Sequence, residues 1–172
     1  MAKLHEVHQS RQRIHVMEKM NGCAIYGADL HLPHMLYAKG VVTGCPYGEI
    51  RAIHTEEALN IPGVRGVYTA EDIPGHNGFG AFCKDEPILA ERYVKFAGDV
   101  VAVVVADSPV LAEQGAKAVR VELTPLKPVL TVEEALSGEI VINPAYPDNL
   151  CASQHLIKGD AAAALAQAEV VV

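Results

Sequence analysis

Positive charge is scarce in this sequence. Its 172 residues include 14 Lys and Arg against 21 Asp and Glu, which leaves a formal net charge of −7. Binding to a nucleic-acid backbone needs clustered basic side chains, and none cluster here, so nucleic acid is excluded as an expected partner. No segment approaches the about 20 apolar residues of a membrane helix, and the first residues lack the apolar core of a secretory signal. These absences predict a cytoplasmic protein that does not bind membranes.

Motifs that commonly mark cofactor and metal sites are also missing. The sequence has no phosphate loop, no Gly-x-Gly-x-x-Gly before a helix, no Gly-x-Ser-x-Gly and no His-Glu-x-x-His. No Cys-x-x-Cys pair occurs, so reduced thiols are expected rather than a zinc or iron–sulfur site. His31 and His34 could bind a metal only with carboxylates from elsewhere. No catalytic, cofactor-binding or metal-binding residue is therefore predicted in this chain.

Half of the residues are apolar, and their spacing predicts an α+β domain with a mixed sheet and a few short helices. The valine-rich run 100–106 is typical of a strand covered on both faces. Other strands are predicted at residues 22–26, 35–42, 50–53, 64–69 and 120–123, and at a final run that begins at Glu169. Helices are predicted after the capping residues Thr55, Ser108, Thr131 and Asp160.

The two ends of the chain show little periodicity. Residues 1–20 are polar and are predicted to form an extended arm, and residues 138–154 are rich in Pro, Asn and Asp and are predicted to form an extended linker. Because the chain stops within a strand pattern, it is expected to continue in a larger protein.

Within residues 72–107, a glycine-rich loop runs directly into the buried strand. Gly78 and Gly80 break regular structure there, yet Phe79, Phe82 and Ile88 supply apolar side chains that a solvated loop would not need. The loop is therefore predicted to pack against another surface.

Adjacent carboxylates occur twice near this loop, at residues 71–72 and 85–86. Neighbours in sequence rarely point at one atom, so turn and helix-start roles are favoured over catalysis. An independent hydrolase is a further hypothesis, with Cys83 as nucleophile and His76 paired with a carboxylate of the second pair.

A series of short motifs runs through most of the chain. In order, they are Gly22-x-Ala24-x-Tyr26 with Asp29, Met35-Leu36-Tyr37, Ala58, Pro62-Gly63-Val64, Val67-x-Thr69, Asp72-Ile73-Pro74-Gly75, Phe96-x-Gly98, the run 101–106, Ala112, Ala116, Val119-x-Val121-Glu122 and Lys158-Gly159-Asp160. Their order and spacing resemble the α/β hammerhead domain in the molybdenum-cofactor subunits of xanthine dehydrogenases and aldehyde oxidases.

The resemblance implies an N-terminal arm (1–20), the hammerhead domain (21–137) and a linker into the next, molybdenum-binding domain (138–172). It also implies that the catalytic glutamate and the residues that hold molybdopterin lie after this chain, which is therefore expected to be inactive in isolation. In the family, a molybdenum-bound hydroxyl group activated by that glutamate attacks a carbon of a heteroaromatic ring or an aldehyde. Electrons then leave through iron–sulfur clusters, usually to a flavin.

The family's hammerhead domain supports the enzyme structurally and forms part of the substrate-channel wall. The matching segment implies that Ala81 and Phe82 face this channel and that Gly80, Asp85 and Glu86 shape the loop. Family members often have a bulkier aliphatic residue in place of Ala81, which implies a wider or differently shaped channel here.

The resemblance further implies purines, related heterocycles or aldehydes as substrates. The implied partners are the molybdenum-binding domain or subunit and the iron–sulfur and flavin subunits, with FAD as the flavin. A stand-alone interaction module that keeps the fold without catalysis is the alternative.

Overall fold

The computed structural model describes residues 10–81 and 83–171. The strands in this part of the chain are β1 (Tyr37–Val42), β2 (Gly48–His54), β3 (Val64–Thr69), β4 (Tyr93–Val94), β5 (Val100–Ala106) and β6 (Arg120–Pro125). The helices are α1 (Val16–Met20), α2 (Glu56–Leu59), α3 (Pro109–Ala118), α4 (Val132–Leu136) and α5 (Ala161–Ala166), with short 3-10 turns at Gly27–Asp29 and Ala70–Asp72.

Within these residues the strands form two three-stranded sheets. Sheet A has the order β1-β5-β3 and sheet B the order β4-β2-β6, and every neighbouring pair is antiparallel. The α+β class is confirmed, but the predicted mixed sheet is replaced by these two sheets. A parallel pair needs a crossover within one sheet, whereas α3 connects β5 of sheet A to β6 of sheet B.

Strand β5 forms the centre of sheet A and of the core, as its valine-rich sequence predicts. Val103 pairs with Gly40 on one side and with Tyr68 on the other. Val101 and Val104 have 0% exposed surface. The rest of the core is small as well, since the buried cluster also contains Val41, Ala58, Ala90, Val94, Ala102 and Val119.

Helix α3 packs across sheet A through small residues. It begins as predicted, because the Ser108 side chain accepts a hydrogen bond from the Leu111 amide (3.2 Å) and Pro109 occupies the first helical position. Ala112 and Gly115 are its buried residues, so the helix backbone comes close to β5.

The predicted strand at residues 22–26 is wrong. The amides of Cys23 and Ala24 instead donate to the Glu18 carbonyl (2.8 and 3.1 Å), so this segment closes the end of α1. That helix also interrupts the predicted extended arm, whose residues 1–9 lie outside the described part. No strand forms at residues 169–171 either, because an apolar run becomes a strand only beside a partner strand.

Several boundaries also differ from the predictions. β1 begins at Tyr37 rather than at residue 35, and β2 and β6 are longer than predicted. The two-residue strand β4 was not predicted, because it is too short to produce a recognisable pattern. None of the described helices is long and apolar enough to cross a lipid bilayer.

Candidate functional site

Residues 76–89 form a hairpin-like loop, called here the 76–89 loop, that ends at the buried core. Its two arms meet at one backbone bridge, in which the Phe79 amide donates to the Glu86 carbonyl (2.8 Å) and the Glu86 amide to the Phe79 carbonyl (3.4 Å). Nε2 of His76 lies 3.0 Å from the Lys84 carbonyl oxygen. Residues 80, 81 and 83–85 therefore lie at the tip of the loop.

Two glycines permit this tight geometry. A Cβ added at Gly78 would lie 2.7 Å from both the Lys84 carbonyl oxygen and Nε2 of His76. Gly80 has a φ of +150°, and a Cβ there would overlap the Cys83 carbonyl oxygen. A side chain at either position would force the two arms apart.

The base of the loop is held by the side-chain amide of Asn77. Its Oδ1 accepts hydrogen bonds from the amides of Ile88 (3.0 Å) and Leu89 (3.1 Å), and its Nδ2 donates to the Leu89 carbonyl (2.8 Å). Sequence reasoning missed this residue, since an asparagine in such a loop indicates only a turn.

The structure places the predicted loop residues together at the tip. Gly80, Ala81, Asp85 and Glu86 are all exposed, and Glu86 joins the bridge through its backbone. Phe82 lies outside the described residues. The predicted roles of Ala81 and Phe82 in a channel wall, and of the other three residues in shaping the loop, stay predictions.

A cleft of about 440 Å³ lies beside the loop. Its apolar lining includes Phe79, Ile88, Phe96 and Val100, and Cys151 reaches it from the C-terminal segment. Phe79 and Phe96 are 51% and 57% exposed. The predicted packing of apolar loop residues therefore occurs only in part, and one side of these rings faces outward.

The segment after α4 folds back toward the tip and contains a second asparagine clamp. Nδ2 of Asn149 donates to the carbonyls of Ala135 (2.9 Å) and Ile140 (2.7 Å), and its Oδ1 accepts from the Ile142 amide (3.0 Å). Part of the predicted extended linker is thus closed into turns.

Tyr146 lies in this folded segment and interacts with the loop tip. Hydrogen bonding to Cys83, then hydrogen bonding to Asp85 and the negative charge of Asp85, raises the pKa of Tyr146 to about 12. The phenol therefore stays protonated near neutral pH. Tyr146 was not singled out from the sequence, because its contacts with residues 83 and 85 are distant along the chain.

The hydrolase and metal hypotheses receive no support from this geometry. The described residues show no hydrogen bond between the His76 imidazole and the Cys83 thiol; His76 lies against the Lys84 carbonyl instead. Over residues 10–81 and 83–171, no group of three or more His, Cys, Asp or Glu side chains is placed to hold a metal. His31 lies 3.4 Å from the Tyr37 hydroxyl. All four cysteines are free thiols.

The protein is thus an α+β domain with two small antiparallel sheets, a helix packed across one of them and an exposed glycine-rich loop. Residues 21–127 match the a/b hammerhead domain of aldehyde oxidase and xanthine dehydrogenase. The chain therefore belongs to this family, as its short motifs predict.

Individual relatives agree with this assignment. The chain is 34% identical over 166 residues to the nicotinate dehydrogenase large molybdopterin subunit of Eubacterium barkeri, covering 95% of this chain and 38% of that relative. Among solved structures, the aldehyde oxidoreductase of Desulfovibrio gigas matches 78% of this chain and 16% of its own, at 33% identity and a TM-score of 0.74. The quinoline 2-oxidoreductase of Pseudomonas putida 86 matches 79% and 18%, at 31% identity and a TM-score of 0.73. The chain thus spans well under half the length of these relatives.

Proposed function

We propose that this chain is the hammerhead domain of a molybdenum hydroxylase and that its 76–89 loop forms part of the wall of the substrate channel. The complete enzyme would oxidatively hydroxylate a heterocycle such as a purine, or an aldehyde. Ala81 and Phe82 would face the channel, while Gly80, Asp85 and Glu86 would maintain the shape of the loop. The chain alone would be inactive.

The observation that carries this proposal is the outward-facing tip of the loop beside a partly apolar cleft. Aromatic and aliphatic walls are typical of sites for planar organic ligands. The cleft is open on one side, as expected if the rest of a larger enzyme completes it. The two carboxylates that the loop contributes to it, Asp85 and Glu86, are exposed, which suits a wall better than a catalytic centre.

The cofactors and partners follow from the proposed enzyme and not from this chain. Molybdopterin would be bound by the domains that follow, and the described residues of this chain offer no cluster of metal-binding side chains. Iron–sulfur clusters and FAD would likewise belong to other domains or subunits. A cytoplasmic location is also part of the proposal, and the four free cysteines suit a reducing compartment.

The first experiment is to purify the tagged chain, in whatever polypeptide or complex contains it, from its native cells and to measure bound molybdenum. A molybdopterin-containing polypeptide, continuous with this chain or co-purifying with it, is expected. Turnover would be measured with nicotinate, quinoline and benzaldehyde as probes. Recovery of the 172-residue chain alone, without molybdenum or turnover, would instead support the stand-alone interaction module.

The second experiment changes the wall itself by Ala81→Leu in the complete enzyme. We expect the KM for the bulkiest accepted probe to rise on the order of tenfold with little change in kcat, since added bulk in a channel opposes binding by a few kcal/mol at most. The control is Ala38→Leu, at an exposed position of β1. Equal KM values for wild type and Ala81→Leu with every accepted probe would exclude Ala81 from the channel wall.

A further inference from the structure

The 76–89 loop has few backbone hydrogen bonds of its own. Between Asn77 and Ile88, the described residues show one backbone pairing across the two arms, the Phe79–Glu86 bridge. A loop with so little backbone pairing opens readily unless side chains close it. The position of the tip therefore depends on what holds the base.

Asn77 supplies the side-chain closure at the base, while the His76 imidazole contacts the Lys84 carbonyl nearer the tip. Both acceptor directions of the Asn77 Oδ1 and one of its two donor hydrogens are used in the bonds to Ile88 and Leu89. No other polar side chain type of this size offers two acceptors and a donor in one plane. The clamp is therefore specific to the amide.

The partner of this clamp is a fixed part of the core. Leu89 is 6% exposed and Ala90 1% exposed, and the Ala90 amide donates to the Val100 carbonyl at the start of β5 (2.7 Å). The returning arm is thus held by the central strand. Asn77 connects the outgoing arm to that same point.

We propose that Asn77 is a positioning residue that fixes the tip of the 76–89 loop, and thereby Ala81, relative to the core. This inference rests on the proposed role of the loop in the substrate channel. Asn77 itself contacts backbone rather than substrate, so its loss weakens substrate binding by displacing the wall and leaves the chemical step unchanged.

The test uses the complete enzyme with Asn77→Ala. Amide hydrogen exchange in peptides covering residues 76–89 should accelerate on the order of tenfold, because three hydrogen bonds are lost. Of the probes quinoline, nicotinate and benzaldehyde, the one turned over best is used. Its KM should rise severalfold, while its kcat stays within about threefold of wild type. Asn77→Asp keeps the acceptor oxygen for the Ile88 and Leu89 amides but sets a second carboxylate oxygen against the Leu89 carbonyl oxygen. It should therefore change the exchange and the KM in the same direction, and it serves if Asn77→Ala does not fold.

Ser108→Ala is the matched control, because it removes the cap of α3 at the far end of β5. It should lower the stability of the protein but alter neither the exchange of residues 76–89 nor the KM. The same KM change in Ser108→Ala would show that general destabilisation is sufficient, and would overturn the positioning role.

The remaining outcomes separate this inference from the proposed function. Unchanged exchange in both Asn77 variants overturns the inference and leaves the result for Ala81→Leu as it stands. If Asn77→Ala accelerates the exchange but leaves the KM unchanged, while Ala81→Leu raises the KM, the inference about Asn77 is also overturned. If neither Asn77→Ala nor Ala81→Leu affects the KM, the channel-wall function fails, and the inference fails with it.

Discussion

Gly115 is a buried residue of α3 that packs against sheet A, and Gly115→Ala tests whether this packing requires glycine. A Cβ at this position would lie 2.7 Å from Cγ1 of Val104 and 3.1 Å from Cγ2 of Val64. Val104 has 0% exposed surface and belongs to the central strand, and a β-branched side chain has few alternative rotamers. The added methyl group therefore has little room.

Two effects oppose each other in this variant. Alanine in a helix interior favours folding by about 1 kcal/mol over glycine. Forcing a methyl group into a close-packed core costs about 1–3 kcal/mol, and the stiffness of Val104 favours the upper half of that range. We therefore expect Gly115→Ala to lower the free energy of unfolding by about 1 kcal/mol.

A double-mutant cycle with Val104→Ala isolates the contact. Val104→Ala alone should cost about 2 kcal/mol through lost burial and the cavity it leaves. In that background the methyl group of Gly115→Ala has space, so its effect should change sign and give a coupling energy of about 2 kcal/mol.

The assay is urea unfolding of the chain followed by circular dichroism, with the m-value checked for constancy. Gln114→Ala on the exposed side of α3 is the control and should stay within about 0.5 kcal/mol of wild type. Stabilisation by Gly115→Ala in the wild-type background, or additivity of the two substitutions, would contradict this account of the interface.

Two further predictions concern the loop tip. Gly80→Ala should cost the closed loop about 1–3 kcal/mol because of its positive φ and the overlap with the Cys83 carbonyl, and limited proteolysis should show faster cleavage within residues 78–86. Gly75→Ala, with no atom within 4 Å of the added Cβ, is its control, and equal cleavage of the two variants would count against the strain. The pKa of Tyr146 is raised to about 12 in the folded protein, whereas the unfolded value is about 10. The protonated phenol therefore contributes stability at pH values below 10, and this contribution is lost as the pH rises through the folded pKa. Absorbance titration at alkaline pH should therefore show one late-titrating tyrosine, which Tyr146→Phe removes. Cys83→Ala and Asp85→Asn should each shift the pKa of that tyrosine toward 10. Unchanged titration in all three variants would exclude the contact.

The central elements could be predicted from the sequence because their signals are local. Seven apolar residues define β5, and the Ser108–Pro109 pair marks the start of α3. At α4, Thr131 caps the Glu134 amide (3.1 Å), although the Glu134 carboxylate accepts from the Leu130 amide (3.0 Å) and not from that of Thr131. Each of these features depends on residues within one segment of at most seven positions.

The features that could not be predicted from the sequence depend on contacts between residues that are far apart in the chain. Residues 22–26 have the composition of a strand, but no neighbouring strand pairs with them. The clamp by Asn77 reaches 11 and 12 residues along the chain, and Tyr146 reaches the tip from a separate segment. The short motifs nevertheless predicted the family, because a whole series of them occurs in order.

The distribution of apolar side chains fits a function that lies at the surface of this domain. The largest fully buried side chains are valines, Val94, Val101 and Val104, whereas Phe79 and Phe96 remain about half exposed. A core of valine, alanine and glycine lets α3 and β5 approach closely, but it leaves no interior space for large rings. The Phe79 ring in the 76–89 loop and the neighbouring Phe96 ring lie outside that core, where further burial would require another surface. A small core that anchors the loop, with apolar groups left outside, is consistent with the supporting wall that we propose.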